Sequence, residues 1–218
     1  MVNNMILVIS GRDEHLYPKI FDEVYQLRHQ VFVEEMHWEN LRSPDCRERD
    51  QFDDEHAVHH IALRDDKVVG YQRILKSTRP HLLNTVFPEL CEGELPAGPH
   101  ICEVSRYCVA PGFREGRRSV STVGSELIAA VVEWGLTAGY SKALFQFEPM
   151  WLLRGLQLKF LVRPLGYQVK IGDLQVVAAE LGFNANTLET IRASRGHHLP
   201  VLEPVGELAE TYLTARAS

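Results

Sequence analysis

The residues with the clearest capacity for chemistry are acidic side chains concentrated in one short segment. Five carboxylates fall within the eight positions of ERDQFDDE, and they are Glu48, Asp50, Asp53, Asp54 and Glu55. Such a run raises the local negative potential, so it could attract a cationic small molecule or pair with arginines. A solvated acidic loop is the usual explanation of a charge run. A calcium loop is a third alternative, but the segment lacks the glycine and the terminal glutamate of an EF-hand loop.

Arg28 lies in a stretch whose apolar pattern predicts a helix. At helical spacing it shares one stripe with Tyr25 and Phe32, so the arginine falls among aromatic side chains. A guanidinium is costly to bury unless a carboxylate and other hydrogen-bond acceptors meet it. The pattern by itself favours an edge residue that extends its charged end to solvent. A buried ion pair is the alternative.

Arg73 lies on the second strand of a predicted β-hairpin. Strict alternation places it on the same face as Val69 and Tyr71, which predicts that its side chain is buried. A buried arginine needs an acidic partner, because an unpaired buried charge is strongly destabilising. Asp50 and Asp53 are the first candidates for that partner.

Glu103 and Arg106 lie three positions apart on one predicted strand. Regular pleating would direct them to opposite faces of the sheet, whereas a β-bulge between them would bring both to one side. From these residues alone, the better explanation is one residue in an ion pair that lines the core and one residue at the surface.

A basic turn precedes a predicted helix at 119–138. Arg114, Arg117 and Arg118 alternate with glycines in the segment PGFREGRR. Free backbone N–H groups at a helix N-terminus, strengthened by arginines, form a natural phosphate site. A basic surface turn is the simpler alternative.

Histidines and cysteines give little indication of a metal site. His56 and His60 share one face of a predicted strand and His59 the other, and no third ligand is evident in the sequence, so ordinary strand histidines are expected. The four cysteines contain no CxxC pair. We therefore expect reduced thiols of a cytosolic protein and no zinc site.

Hydrophobic periodicity places these residues on alternating strands and helices. Strands are predicted at 5–10, 57–63, 67–75, 101–109, 143–147, 167–171 and 175–179. Helices are predicted at 16–33, 82–87, 119–138, 151–160 and 184–194. Residues 34–54 are predicted to form a long loop, which is typical of functional segments. The order predicts an α/β fold, a mixed twisted sheet with helices on both faces, in a single domain over residues 1–218.

Composition and charge bound the function. A net charge of −6 argues against a general nucleic-acid partner. Residues 1–60 carry six Lys or Arg against thirteen Asp or Glu, which suits a cationic small molecule. Residues 111–170 carry eight Lys or Arg against four Asp or Glu, which suits a phosphate-bearing ligand or an acidic protein. No apolar run approaches the ~20 residues that cross a bilayer, and the first ten residues lack a basic n-region, so we expect a cytoplasmic protein with no membrane partner.

Four segments together resemble one enzyme family. The similarity is to the acyl-homoserine lactone synthases, the autoinducer synthases of bacterial quorum sensing, and it lies in RHQVFVEEMHW, ERDQFDDE, VVGYQRIL and CEVSRYCV. The matching positions are Arg28, Phe32, Trp38, Asp50, Asp53, Arg73, Glu103 and Arg106. The resemblance is strongest over residues 25–110 and weakens toward the C-terminus, where the family builds its acyl pocket.

The resemblance implies a GNAT-like acyltransferase fold and a two-step reaction. In the first step a thioester acylates the amino group of S-adenosylmethionine, and in the second step the product lactonises and releases methylthioadenosine. The acyl donor is expected to be an acyl-coenzyme A or an acyl carrier protein loaded with the acyl group. S-adenosylmethionine is a substrate, so no cofactor and no metal are implied.

The resemblance also implies roles for individual residues. Glu103 and Arg106 are expected to be catalytic, Glu103 as the base of the acylation and Arg106 as a positioner. The S-adenosylmethionine site is expected to contain Arg28, Phe32, Trp38, Asp50, Asp53, Arg73, Phe87, Ser105 and Arg106. The acyl and pantetheine site is expected to contain Val104, Tyr107, Arg114, Arg117, Phe145, Phe147, Met150 and Leu153. Core packing explains the apolar members of this second set equally well. Because GNAT folds part the sheet to admit the pantetheine arm, we predict a local irregularity around residues 104–107.

Two other functions stay open at this point. A GNAT-type N-acyltransferase that acts on a different amine would explain the fold but not the set of matching positions. A catalytically silent module would bind S-adenosylmethionine or acyl carrier protein without turnover. The aromatic pair Phe145 and Phe147 mildly suggests a short, branched or aryl acyl group.

Overall fold

The computed structural model describes residues 5–114, 121–196 and 198–217. The strands are β1 (Ile6–Ser10), β2 (Val58–Arg64), β3 (Lys67–Lys76), β4 (Ile101–Val109), β5 (Lys142–Phe147), β6 (Leu161–Pro164), β7 (Val169–Ile171), β8 (Leu174–Gly182) and β9 (Leu202–Pro204). The helices are α1 (Pro18–Arg28), α2 (Leu82–Thr85), α3 (Thr122–Thr137), α4 (Met150–Gln157), α5 (Ala185–Arg195) and α6 (Glu207–Ala217). None of these helices is long and apolar enough to cross a membrane.

The chain divides into two compact units. Unit 1 contains Met1–Arg73, Arg106–Val131 and Pro200–Ser218, and unit 2 contains Ile74–Ser105 and Val132–Leu199. The strands β3 and β4 and the helix α3 each contribute residues to both units. The single domain over 1–218 stays a prediction.

Each predicted strand and helix corresponds to an observed element whose ends differ by a few residues. The predicted helix at 119–138 is observed as α3, and its first residues, 119 and 120, lie outside the described part of the chain. The sequence pattern does not predict β6, β9 or α6. The strands β6 and β9 are only four and three residues long, too short for a readable alternation. The strand β9 pairs with β1, which is distant in sequence, and β6 pairs with β8, from which β7 separates it along the chain.

The sheet of unit 1 is mixed, as predicted. Its strand order is β9-β1-β2-β3, and β1 runs parallel to β9 and antiparallel to β2. Asp65 and Asp66 join β2 to β3 with φ angles of 50° and 60°. Two consecutive left-handed residues are the geometry of a type I′ hairpin turn, and aspartate tolerates it better than most residues. The predicted hairpin is confirmed.

Helices cover both faces of the sheet in unit 1. Tyr71, on one face of β3, belongs to the same buried cluster as the apolar side of α1. Gln72, on the other face, donates from Nε2 to the carbonyl oxygen of Leu127 in α3 at 2.8 Å. Gly70 shares that second face, where an added Cβ would lie 2.7 Å from Val123, so only glycine allows α3 to approach so closely.

The first helix changes character at its end. It continues beyond α1 as a π-helical segment, His29–Glu35, and the Met36 N–H donates to the carbonyl of Val31, five residues back, at 3.0 Å. The predicted helix at 16–33 is therefore observed as two segments of different pitch. Single π-helical turns are frequent at functional sites, and this one carries the buried Phe32.

The sheet of unit 2 is also mixed. Its strand order is β4-β5-β8-β6, with β4 and β5 parallel, β5 and β6 antiparallel to β8, and β7 paired with β8. Leu83, Leu90, Leu144 and Ala178 form a buried cluster on one face of this sheet. This cluster fixes the short helix α2 above the strands β5 and β8, because Leu83 belongs to α2.

Candidate active site

Three carboxylates and three arginines form a buried cluster in unit 1, called the ion cluster below. Its members are Arg28, Glu48, Asp50, Asp53, Arg73 and Arg106. All three carboxylates come from the acidic segment of the predicted loop, and the arginines come from α1, β3 and β4. The acidic segment is therefore neutralised by arginines and is not a free patch of negative charge.

Arg28 is the last residue of α1, and its side chain is fully buried. Its Nε donates to Glu48 at 2.6 Å and its Nη1 to Asp53 at 2.8 Å. The guanidinium carbon also lies 5.4 Å from the ring centres of Tyr25 and Tyr71. The side chain is buried and paired and does not extend to solvent, because the acidic segment supplies its counter-charges.

Arg73 is buried on β3, as strand alternation predicts. Its Nη1 donates to Asp50 at 2.6 Å and to Asp53 at 2.7 Å, and its Nη2 donates to the second oxygen of Asp50 at 3.0 Å. Both predicted partners are confirmed. Asp53 accepts from Arg28 and Arg73 through the same Oδ1 atom, so it joins α1 to β3.

Arg106 completes the ion cluster from an irregular position on β4. Its φ angle is 56°, in the left-handed region that a residue with a side chain rarely adopts, so the predicted irregularity around residues 104–107 is confirmed. Its Nη2 lies 2.9 Å from Glu48 and 2.8 Å from Asp50. Such backbone strain costs of order 1–3 kcal/mol and persists only where the surroundings enforce it, which these two ion pairs do.

The acidic segment is also held by its own hydrogen bonds. The N–H of Asp50 donates to the Asp53 carboxylate at 2.9 Å, and the N–H of Phe52 donates to the Asp50 carboxylate at 2.9 Å. Gly11 packs so closely here that an added Cβ would lie 2.0 Å from the Asp54 carbonyl oxygen. Asp54 and Glu55 are exposed, and neither belongs to the ion cluster.

The arginines keep the three carboxylates charged. Burial by itself would raise the pKa of Asp53, but Arg28 and Arg73 outweigh burial and hold the pKa of this carboxyl well below its ordinary value. The pKa values of Glu48 and Asp50 are lowered for the same reason. These groups stabilise the fold above the ordinary carboxyl pKa of about 4, and their contribution is lost as the pH falls below it.

An aromatic pair lies beside the ion cluster. The rings of Phe32 and Trp38 stack with centres 5.4 Å apart and planes 15° from parallel. The guanidinium carbon of Arg106 lies 5.6 Å from the centre of the Phe32 ring. Phe32 is buried and Trp38 is half-buried, so the indole has accessible surface for a ligand. A stacked aromatic pair of this kind attracts cations through its π faces.

Glu103 is the buried carboxylate of unit 2. Its Oε1 lies 2.9 Å from His81 Nδ1, and it accepts from the Leu83 N–H at 2.8 Å and from Gln146 Nε2 at 3.0 Å. Its Oε2 accepts from the Leu82 N–H at 3.0 Å. The side chain is completely buried, so hydrogen bonds to the protein fix both of its oxygens.

Comparison with known proteins decides the family. A model of the autoinducer synthases matches residues 13–181. The isovaleryl-homoserine lactone synthase of Bradyrhizobium diazoefficiens is 37% identical over 188 residues, which cover 86% of this chain and 84% of that protein. This chain belongs to the autoinducer synthase family. It is an acyltransferase of the acyl-homoserine lactone synthase class.

Solved structures agree with this assignment. A coenzyme-A-dependent acyl-homoserine lactone synthase, BjaI, solved with SAM and isopentyl-CoA, has a TM-score of 0.86 and 34% identity over 99% of this chain and 100% of that one. The synthase LasI has a TM-score of 0.75 and 29% identity over 87% of this chain and 96% of its own. A Lactobacillus plantarum protein described as an N-acetyltransferase, 20% identical with a TM-score of 0.52 over 83% and 100% of the two chains, shares the fold alone. The predicted GNAT-like fold is confirmed.

The remaining residues predicted for S-adenosylmethionine lie outside the ion cluster of the synthase. Phe87 is half-buried in unit 2 and packs against the cluster that contains Leu83 and Leu90. Ser105 is buried on β4. The other seven of the nine residues predicted for this site lie together in unit 1. Five of them belong to the ion cluster, and Phe32 and Trp38 lie beside it.

The residues predicted for the acyl and pantetheine site come from several elements and from both units. Val104 is buried and Tyr107 half-buried on β4, whereas Met150 and Leu153 are 69% and 61% exposed on α4. Arg114 is exposed and already engaged, since it donates to Glu35 at 2.6 Å and to the Val109 carbonyl at 2.7 Å. Arg117 lies outside the described residues. These assignments stay predictions.

Phe145 and Phe147 lie together on β5, with ring centres 5.8 Å apart. Both rings are half-buried. Alternation along the strand directs them to the face opposite Gln146, and Gln146 is the residue that donates to Glu103. Their predicted contact with the acyl group also stays a prediction.

Two residues of the Glu103 environment are absent from the sequence-based prediction. His81 and Gln146 both contact this carboxylate, and neither belongs to a motif of recognisable spacing. Gln146 does give a weak signal, because it is a polar residue between two phenylalanines on an apolar strand. His81 gives none, since it lies in the irregular connection between β3 and β4.

The predicted strand histidines are observed on opposite faces of β2. His59 Nδ1 lies 2.8 Å from the Tyr71 hydroxyl, and His60 Nδ1 lies 3.0 Å from Gln72 Nε2. Burial lowers the pKa of each histidine to about 3, so both are neutral in the folded synthase at neutral pH. Within the described residues, no group of three His, Cys, Asp or Glu side chains is placed to hold a metal ion. The four cysteines are free thiols.

Arg73 and Arg42 each bind two carboxylates, but the burial of the ion cluster predicts that they contribute very differently to the free energy of unfolding. Arg73→Met leaves Asp50 and Asp53 without one of their counter-charges in a buried site, so we expect a loss of about 3–5 kcal/mol in the free energy of unfolding. Arg42→Met is the matched control, because Arg42 binds Glu34 and Glu39 but is 43% exposed. We expect Arg42→Met to unfold in urea like the wild type. Equal losses of unfolding free energy in the two variants would contradict the burial of the ion cluster.

The buried histidines predict a pH dependence of stability. An unfolded histidine binds a proton below its ordinary pKa of about 6.5, whereas the folded His59 and His60 do so only near 3, so stability falls as the pH drops between these values. Each histidine contributes a slope of about 1.4 kcal/mol per pH unit.

His60→Gln should therefore remove up to about 1.4 kcal/mol per pH unit from that slope near pH 5, and about half as much near pH 6.5. Urea unfolding between about pH 5 and about pH 6.5 measures it above the range in which carboxyl groups titrate. His198→Gln is the control, because the His198 side chain is 68% exposed. An unchanged slope in His60→Gln would show that His60 is protonated in the folded state.

Proposed function

We propose that this synthase makes a short, branched acyl-homoserine lactone from S-adenosylmethionine and an acyl-coenzyme A, with isovaleryl-coenzyme A as the first candidate. One observation carries the proposal. The chain aligns over 99% of its length, with a TM-score of 0.86, to a coenzyme-A-dependent synthase that was solved with SAM and isopentyl-CoA. The similarity to an isovaleryl-homoserine lactone synthase supports the same acyl group.

The ion cluster and the aromatic pair are the proposed site for S-adenosylmethionine. The ion cluster balances three positive against three negative charges, so it offers little net attraction for a sulfonium. Recognition of the sulfonium is therefore assigned to the half-buried ring of Trp38, which stacks on Phe32, through cation–π contact. Arg106 uses Nε and Nη2 for Glu48 and Asp50, and its Nη1 is the proposed donor to the methionine carboxylate.

Acylation is the first proposed step. The amino nitrogen of S-adenosylmethionine attacks the thioester carbonyl carbon, a C–N bond forms and the C–S bond breaks. Glu103 receives the proton that the amine loses, and this proton passes to the departing thiolate, so coenzyme A leaves as a thiol. The α-amino group has an ordinary pKa near ~8, so modest base assistance is enough, and such assistance is typically worth ~10²–10⁴ in rate.

Lactonisation is the second proposed step. A carboxylate oxygen attacks the γ-carbon, an O–C bond forms and the bond from that carbon to the sulfonium sulfur breaks. The positive and negative charges cancel, and neutral methylthioadenosine and lactone leave. The leaving group is already activated by its charge, so the protein mainly has to hold the chain in a near-attack geometry. Neither step requires an added oxidant or reductant, and we propose no cofactor.

A panel of acyl donors tests this proposal. The purified protein is mixed with S-adenosylmethionine and, separately, with isovaleryl-, hexanoyl-, octanoyl- and benzoyl-coenzyme A or with hexanoyl acyl carrier protein. Mass spectrometry follows methylthioadenosine and the lactone together. We expect both products, in equal amounts, and the highest kcat/KM with isovaleryl-coenzyme A.

Other outcomes separate the alternatives. Turnover with acyl carrier protein alone would overturn the proposed donor. A higher kcat/KM with a linear or aryl thioester would overturn the branched acyl group. Release of coenzyme A without methylthioadenosine would overturn the second step, because the acyl group would then have passed to S-adenosylmethionine without lactonisation or to water. Acylation of an added amine other than S-adenosylmethionine, again without methylthioadenosine, would indicate a different N-acyltransferase.

A further inference from the structure

Packing alone does not explain why a histidine occupies position 81. Its side chain is completely buried, and its Nδ1 lies 2.9 Å from Oε1 of Glu103. Its Nε2 is buried and has no hydrogen-bond partner among the described residues. A buried ring nitrogen without a partner costs stability, so an apolar side chain would fill this space at lower cost. The benefit of a histidine must therefore lie in the bond to Glu103.

The hydrogen between His81 and Glu103 belongs to Nδ1. In the proposed function Glu103 acts as a base, so its carboxylate has no proton to donate to the ring, and the hydrogen of this bond lies on Nδ1. With the Leu83 N–H and Gln146 Nε2, His81 brings the number of donors to Oε1 to three.

The two oxygens of Glu103 are therefore unequal. Oε1 accepts three hydrogen bonds from the protein, whereas Oε2 accepts one, from the Leu82 N–H. A carboxylate oxygen accepts about two hydrogen bonds readily, so Oε1 is saturated and Oε2 retains acceptor capacity. A proton from substrate can be taken up at Oε2 without the loss of any bond that orients the carboxylate.

We propose that His81 is a positioning residue of this synthase, which saturates Oε1 of Glu103 and so leaves Oε2 as the oxygen that accepts the proton of the attacking amine. The inference rests on the proposed function, in which Glu103 takes that proton. His81 itself touches no substrate and acts through Glu103.

The backbone around His81 holds the ring in this orientation. The His81 N–H donates to the side-chain oxygen of Asn84 at 2.8 Å, and the Asn84 amide donates to the Arg79 carbonyl at 3.0 Å. The Thr85 hydroxyl donates to the His81 carbonyl. His81 is therefore fixed at both of its peptide groups, and its side chain also takes part in the capping box that starts α2.

Two substitutions at position 81 separate positioning from packing. His81→Phe keeps a ring of similar size but has no donor, whereas His81→Asn keeps an N–H group close to the place of Nδ1. We expect His81→Phe to lower kcat by about tenfold or more, as part of the ~10²–10⁴ that a positioned base supplies, with KM for both substrates unchanged. His81→Asn should recover most of the lost rate. Equal losses in the two variants would overturn the proposal.

A double-mutant cycle tests whether His81 acts through Glu103. In a Glu103→Gln background, His81→Phe should cause little further loss, because the residue through which it acts is already altered. The same fold-loss in both backgrounds would indicate an independent, structural role. Asn84→Ala is the matched control for the start of α2, since it removes the bond to the His81 backbone and leaves Glu103 untouched. A loss of kcat in Asn84→Ala as large as in His81→Phe would also overturn the proposal.

A measurement that needs no turnover completes the test. Long-range ¹H–¹⁵N NMR of the wild-type protein identifies which ring nitrogen of His81 carries the hydrogen, with His81→Asn used to assign the signal. We expect a hydrogen on Nδ1, and a ring that carries its hydrogen on Nε2 alone would overturn the proposal. If the wild type makes no lactone with any thioester, the proposed function fails, and this NMR result still decides the state of His81.

Discussion

The burial of Arg28 and Arg73 is the constraint on which the rest of unit 1 depends. Neither guanidinium can leave water without a carboxylate, and Glu48, Asp50 and Asp53 are supplied by one short segment. The pairing of these charges fixes the loop between the π-helical segment and β2, whose regular structure is limited to one turn of 3-10 helix. The ion pairs therefore contribute less to net stability than to the position of the loop and of Trp38, which lies on it.

The same constraint explains the irregular strand. Arg106 adopts a left-handed backbone in the middle of β4, and its side chain then reaches Glu48 and Asp50. Glu103, three residues earlier on that strand, is held by four donors of unit 2. One strand thus carries two charged side chains that are held by different sets of partners, and a regular strand would not direct both side chains in this way.

Sequence patterns predicted the features of the fold that neighbouring residues determine by themselves. The stripe of α1, the hairpin through Asp65 and Asp66, and the bounds of β4 all follow from periodicity and turn chemistry, and charge complementarity alone identified the partners of Arg73. The family resemblance, not the pattern, supported the burial of Arg28 and the irregularity at Arg106. The π-helical segment, the pairings of β6 and β9, and the contact of His81 with Glu103 depend on tertiary packing between distant residues, which periodicity does not contain.

We propose that the ion cluster builds the binding site for S-adenosylmethionine. Substitution of Glu48 is the sharpest test, because Glu48 is completely buried and joins Arg28 to Arg106 without being assigned any contact with substrate. Calorimetric titration of S-adenosylmethionine into the wild type and into Glu48→Gln would measure the effect. We expect binding to be weakened by at least about tenfold, or 1.4 kcal/mol, in a variant that still unfolds cooperatively. Unchanged affinity in a folded Glu48→Gln protein would contradict it.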